Sequence, residues 1–210
     1  MLDINSPVQW QVRDEKYPTL KPWFTSGMLD EISKWDLSGK KVFEWGAGWS
    51  SIFWAYHCKE VYSVETNAVW INDIIEYLLK LGWDIHGRVA IEGKNMAICA
   101  TNKEGNQLVI EHRVCNEGDQ SKVDYYTEIP NEFKPDIVVI DSILRHECLL
   151  KALTLPKPIT IIHDNWKQDG FICPSSEKVM EQYEGKFFIE EAHTDNHGNK
   201  WSTAVWNIPS

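Results

Sequence analysis

Residues 41–51 read Lys-Val-Phe-Glu-Trp-Gly-Ala-Gly-Trp-Ser-Ser, and a second short apolar run, Val61-Tyr62-Ser63-Val64, closes on Glu65. Lys41 to Trp45 suits a buried strand that stops abruptly where Gly46 and Gly48 supply turn chemistry and let the backbone approach a ligand. Trp49 to His57 then reads as a helix with Ser50 or Ser51 near its start, so unpaired backbone N–H groups face the same place. In an open parallel sheet, ligands settle at the carboxyl ends of the strands where the strand order reverses. Glu65, nineteen residues beyond Gly46, stands where such folds keep the acid that accepts hydrogen bonds from two ribose hydroxyls. The pattern implies an α/β fold with an adenosine-binding crevice.

Two cofactor classes use such a crevice. A dinucleotide site wants a third glycine for close helix packing and a helix N-terminus clear for pyrophosphate. Here that position is Ser51, and the residue two before Gly46 is the acid Glu44. A carboxylate there repels a pyrophosphate and suits a ligand with an ammonium and a sulfonium, which favours S-adenosylmethionine over NAD. Trp49 and Ser50 join Glu44, Gly46, Gly48, Ser51 and Glu65 as the expected cofactor residues. The bland alternative is a glycine turn flanked by ordinary strand-end acids.

On these residues the chain resembles the class I S-adenosylmethionine-dependent methyltransferases. The resemblance runs from about Ser38 onward in element order, although only Glu44 to Ser51 and Glu65 are specific. It implies a Rossmann-like, doubly wound, mostly parallel seven-stranded sheet with a C-terminal antiparallel hairpin. It implies no substrate.

Composition agrees with one methyltransferase-like domain over 1–210. The 210 residues are 43% apolar, and no Pro/Gly/Ser-rich linker divides them. The 31 acids against 21 bases leave a net charge of −10, which disfavours a nucleic-acid partner and favours a small-molecule or carbohydrate acceptor. The 5 cysteines contain no Cys-x-x-Cys pair, and neither a signal pattern nor an apolar run of spanning length is evident, so a cytoplasmic protein without membrane contact is expected.

The remaining elements follow from periodicity and punctuation. Residues 1–37 read as an irregular arm, rich in proline and aromatics, followed by a helix from Ser26 to about Trp35. Asn67 caps a helix whose Val69, Trp70, Ile71, Ile74, Ile75, Leu78 and Leu79 are core residues up to Gly82. Residues 83–107 read as an insertion, a hairpin feeding a third strand at 108–115; the alternative places that strand at Arg88 to Glu92. In the first case Asn116 and Asp119 stand beside the adenine pocket, or form a solvated turn. Pro135 to Ile140 is a fourth strand ending at Asp141, followed by a helix with Leu144, Cys148, Leu149, Ala152 and Leu153 buried. Ile159 to Ile162 is a fifth, closed by His163-Asp164-Asn165-Trp166. A helix from Pro174 to Tyr183 and strands at 186–191 and 201–207 complete the chain.

Strand ends on neighbouring parallel strands converge, so Asp141 also reaches the cofactor crevice, and Asp141, Asp164 and Asn165 bring together hard oxygens that suit Mg²⁺. This resembles the metal-dependent catechol and caffeoyl-coenzyme A O-methyltransferases, although their lysine close after the first Asp is replaced by Ser142, Ile143 and Leu144. The alternative is a strand-end turn. Transfer from a sulfonium needs chiefly alignment in a dry pocket, with Asp141, His146 or His163 as the candidate base; His163 fits a hydrogen-bonded core histidine equally well. The expected function is methyl transfer from S-adenosylmethionine to an oxygen, less readily a nitrogen, of a small acceptor. An NAD-dependent oxidoreductase and a non-catalytic binding module are the rivals. Trp10, Trp23, Trp49 and Trp166 could surround the crevice or serve the core.

Overall fold

The structure, a computed structural model, describes residues 22, 24–91, 95–166, 174–191 and 200–210. Helix α1 (Ser26–Ile32) leads to β1 (Lys41–Trp45), α2 (Trp49–His57), β2 (Glu60–Glu65) and α3 (Ala68–Lys80). Then come β3 (Asp84–Ile91), β4 (Asn95–Thr101), β5 (Gln107–His112), α4 (Gln120–Thr127), β6 (Ile137–Ile140) and α5 (Arg145–Leu153). The chain ends with β7 (Ile159–Asp164), α6 (Pro174–Met180), β8 (Gly185–Glu191) and β9 (Lys200–Ile208).

The strands form a 9-stranded sheet in the order β3-β4-β5-β2-β1-β6-β7-β9-β8. The pairings from β5 through β2, β1 and β6 to β7 are parallel, and the two at each end of the sheet are antiparallel. This corrects the expectation of a mostly parallel seven-stranded sheet. The surplus is the pair β3 and β4, which extends the sheet beyond β5 and accounts for residues 84–101. The third parallel strand is β5, so the segment at Arg88 belongs to the outermost strand instead. The closing antiparallel pair β8 and β9 matches the expected hairpin, while its turn, with His193 and His197, lies outside the described residues, as do Trp10 and Trp23.

Alternation along each buried strand feeds two cores. Val42, Val61, Val139 and Ile162 pack with α1, α2 and α3 on one face; Phe43, Trp45, Val138 and Ile161 pack with α4, α5 and α6 on the other. Asn67 caps α3 as expected, its Oδ1 accepting from the Val69 and Trp70 N–H groups. Its apolar residues span too wide an arc to face one sheet, so Ile71, Ile74 and Leu78 are buried while Val69 and Leu79 are exposed. Helix α1 begins after Thr25 rather than being capped by Ser26, and ends at Ile32, short of Trp35. Among the described residues no helix is long and apolar enough to cross a membrane, and the four described cysteines are free.

One polar pair is built into the second core. Glu111 and Arg113, with side chains 3% and 4% exposed, form an ion pair at 2.6 Å. Glu111 also accepts from the hydroxyls of Tyr62 (2.6 Å) and Tyr125 (2.7 Å). The Arg113 guanidinium donates to the carbonyls of Tyr125 and Tyr126, at the end of α4, and of Glu128 just beyond it. Burial pushes the Glu111 carboxyl up, but Arg113 and the tyrosine hydroxyls outweigh it and hold it below its ordinary range. Removing one partner leaves the other charge uncompensated, so Arg113→Met is expected to lower unfolding free energy by about 3–5 kcal/mol in urea titrations.

Candidate active site

Beyond β1 the chain doubles back over its own sheet. Gly46 adopts φ +95°, and a Cβ there would stand 1.8 Å from the Asp141 carbonyl oxygen, so only glycine lets the end of β1 pass the end of β6. The chain moves from β1 outward to β2 and β5, then returns to β6, so Gly46 and Asp141 flank the point where the strand order reverses. A crevice opens there, lined by Phe24, the Gly46–Ser50 loop, Trp70 and Asp141. Trp70 packs edge-on against Trp49 with centroids 5.3 Å apart, and its indole N–H donates to the Ala47 carbonyl at 2.7 Å.

The loop rests on Glu44. This carboxylate is fully buried and accepts from the hydroxyls of Ser50 (2.5 Å), Ser51 and Ser63 (2.9 Å). Ser51 in turn accepts from the Gly48 N–H at 3.0 Å. Glu44 therefore faces inward beneath the loop, not into the crevice where a ligand ammonium was expected to meet it. Burial pushes its pKa up to about 7, against the pull of the three hydroxyls and with the Asp141 charge adding to the rise. On the next strand Glu65 accepts from the Thr66 and Asn67 N–H groups through Oε1, both at 2.7 Å; among the described residues Oε2 makes no bond.

Across the crevice stands Asp141, and Arg145 Nη2 reaches its Oδ1 at 2.9 Å. The same guanidinium donates through Nη1 to the Ser142 carbonyl at 2.5 Å and through Nε to the Asp164 carbonyl at 3.2 Å. Asp164 is buried, and its Oδ1 accepts from the Thr203 hydroxyl at 2.9 Å. Desolvation, then the Asp141 charge, push Asp164 up to about 8. Burial also raises Asp141 while Arg145 draws it back. With 39% of its side chain exposed and a guanidinium beside it, Asp141 is the member of the pair that keeps its charge. The expected metal site is thus not formed: a fixed cation lies between the loops that carry the two acids. Among the described residues no cluster of three acidic, histidine or cysteine side chains is placed to hold a metal.

No protein-family model and no curated protein matches the sequence. Among solved structures, a methyltransferase-like protein from Silicibacter pomeroyi superposes with TM-score 0.53 at 15% identity, over 90% of this chain and 89% of that one. The N-methyltransferase NodS from Bradyrhizobium japonicum gives TM-score 0.53 at 8% identity, over 88% and 94%. A precorrin 8W decarboxylase from Methanobacterium thermoautotrophicum gives 0.50 at 14%, over 89% and 92%.

The chain has the class I methyltransferase fold. At these identities the likeness is one of architecture, and within the methyltransferase fold the other expected site residues are placed as follows. His163 is 2% exposed, with Nδ1 3.0 Å from the Asp164 carbonyl and its ring against Trp166. Burial drives its pKa down to about 3, so it is a core imidazole rather than a general base. Trp166, open to a place at the crevice or in the core, is buried in the core between His163 and Trp206. His146 pairs with the Ser176 hydroxyl of α6 at 2.8 Å and does not line the crevice. Asn116 turns its Oδ1 to the Gly118 N–H, and Asp119 caps α4 through the Ser121 N–H. Asn165 stands at the end of β7 with φ 55°. Phe24, Trp70 and Arg145 are contributors that their local sequence gave little sign of.

Two outcomes are expected. Gly46→Ala should cost more than about 2 kcal/mol in thermal or urea unfolding, because left-handed backbone strain adds to the collision with Asp141. The folded-state pKa of Glu44 lies above its unfolded value of 4.5, at about 7, so its stabilising contribution is full below the lower value and is lost as pH rises through the higher. That loss is on the order of 3 kcal/mol between pH 4 and 8, and unfolding curves of Glu44→Gln should lack this component.

Proposed function

We propose that this chain binds S-adenosylmethionine in the crevice and transfers its methyl group to an oxygen of a small acceptor. The observation that carries the reading is the crevice itself, at the point where the strand order reverses, with the Gly46–Ser50 backbone on one side and Asp141 on the other. Aromatic walls beside a carboxylate fit a ligand whose charges are an ammonium and a sulfonium. The same features disfavour a pyrophosphate, as does the commitment of the Ser51 hydroxyl to Glu44. Glu65 Oε2 would take a ribose hydroxyl. A nitrogen acceptor is the less favoured form of the same chemistry.

When bound, the cofactor supplies a methyl group already activated on sulfur. The chain then has three tasks: to align the acceptor, to exclude water and to receive a proton. Phe24, Trp49 and Trp70 supply the apolar walls. Among the described residues Asp141 is the one titratable side chain lining the crevice, so it is the group to receive the acceptor's proton. The net charge of −10 supports a small molecule or carbohydrate over nucleic acid as the acceptor.

Calorimetric titration with S-adenosylhomocysteine tests the reading, with NAD as comparison ligand. One-site binding is expected for the homocysteine compound, weakened about 10- to 100-fold in Glu65→Ala by loss of charge-assisted hydrogen bonds. Binding of NAD alone would replace the transferase with an oxidoreductase. With an acceptor in hand, Asp141→Asn should still bind the homocysteine compound, more weakly than the parent because the ligand ammonium loses a carboxylate, and lose roughly 10²- to 10⁴-fold in turnover beyond that loss of binding. A binding module would show no turnover to lose.

A further inference from the structure

We infer that Arg145 is a built-in cation standing in the place that a divalent metal would take between Asp141 and Asp164, and that chemistry at this crevice runs without a metal. Arg145 opens α5 four residues after Asp141, which brings its side chain back over the end of β6. Three of its contacts span both strand ends: Asp141 Oδ1 and the Ser142 carbonyl after β6, and the Asp164 carbonyl at the end of β7. A divalent ion between these acids would need their oxygens turned inward and no fixed positive charge among them. Here one Asp164 oxygen is engaged by Thr203, and the Asp141 carboxylate is engaged by a guanidinium cation.

Arg145 is a positioning residue. Its planar fork fixes the Asp141 carboxylate through one nitrogen while the other two hold the backbone of both loops, so orientation and charge balance come from one side chain. Within the transferase reading on which this part rests, the consequence concerns the acceptor. A vicinal diol that relies on bound metal for ionisation has no place here. The acceptor's reacting atom either gives its proton to Asp141 or carries none at neutral pH.

Manganese titration followed by calorimetry, and by the spin-resonance signal of free Mn²⁺, tests the inference without cofactor or acceptor. The wild type and Arg145→Lys, which keeps the cation, are expected to show no saturable site below about 1 mM, the weak end of protein sites for hard cations. Arg145→Met removes the cation from beside two acids that repel one another; it should bind one Mn²⁺ at least about tenfold more tightly than the wild type and melt higher when the ion is added. Adding Asp141→Asn to that variant should abolish the gain. A single wild-type Mn²⁺ site that Asp141→Asn removes would overturn the inference. So would an Arg145→Met protein with native circular dichroism that binds no Mn²⁺, or one that fails to fold both with and without the ion. Failure of the S-adenosylhomocysteine titration would remove the transferase reading alone, because the metal titrations need no cofactor.

Discussion

A carboxylate sealed from water at the middle of a sheet must find its donors in the protein, and Glu44 finds three serine hydroxyls. Those serines belong to two elements that have to meet β1: Ser50 and Ser51 open α2, and Ser63 lies on β2 beside Glu44 in the parallel register. The bond network ties the central strand to its neighbour and to the helix above. The glycine loop is held between them, since Ser51 also accepts from the Gly48 N–H. The crevice is therefore set by satisfaction of a buried carboxyl group as much as by the turn geometry of its glycines.

Around this anchor, acids gather at the carboxyl ends of four adjacent parallel strands: Glu65 on β2, Glu44 on β1, Asp141 after β6 and Asp164 on β7. Each is managed differently. Glu65 accepts from its own turn, Glu44 from hydroxyls, Asp141 from Arg145, and Asp164 from Thr203. Their mutual repulsion is visible in the raised Asp164 and in the part Asp141 plays in raising Glu44 and Glu65. Among the described residues Asp141, half-open and beside a cation, is the carboxylate that lines the crevice, standing between its aromatic walls.

Much of the architecture was legible because the signals were local. The β1 run, the helix from Trp49, the Asn67 cap and the apolar runs of β6 and β7 carry period and punctuation in contiguous residues. Helix α4 escaped notice because few of its residues are apolar; it is held by the Asp119 cap and by Arg113 reaching across from beyond β5. The hairpin of β4 and β5 was legible from the turn between them, but nothing local said that β3 would pair outside β4 and lengthen the sheet. His163, which ends an apolar strand beside an acid, was open to two readings, a base or a core imidazole, and in the fold it is the second. Its alternation with Ile159 and Ile161 turns it to the second core, whereas Asp164 follows Ile162 to the crevice face.

The sequence by itself determined the order of elements, the glycine turn, and which strands end in acids, because these depend on backbone preference and short-range period. Only the tertiary structure decided what each acid faces. Register and alternation bury Glu44 beneath its loop, and the start of α5 carries Arg145 back over Asp141 and across to Asp164. A side chain's charge state depends on neighbours brought from distant parts of the chain, and burial and pairing exist only once the sheet has closed around them.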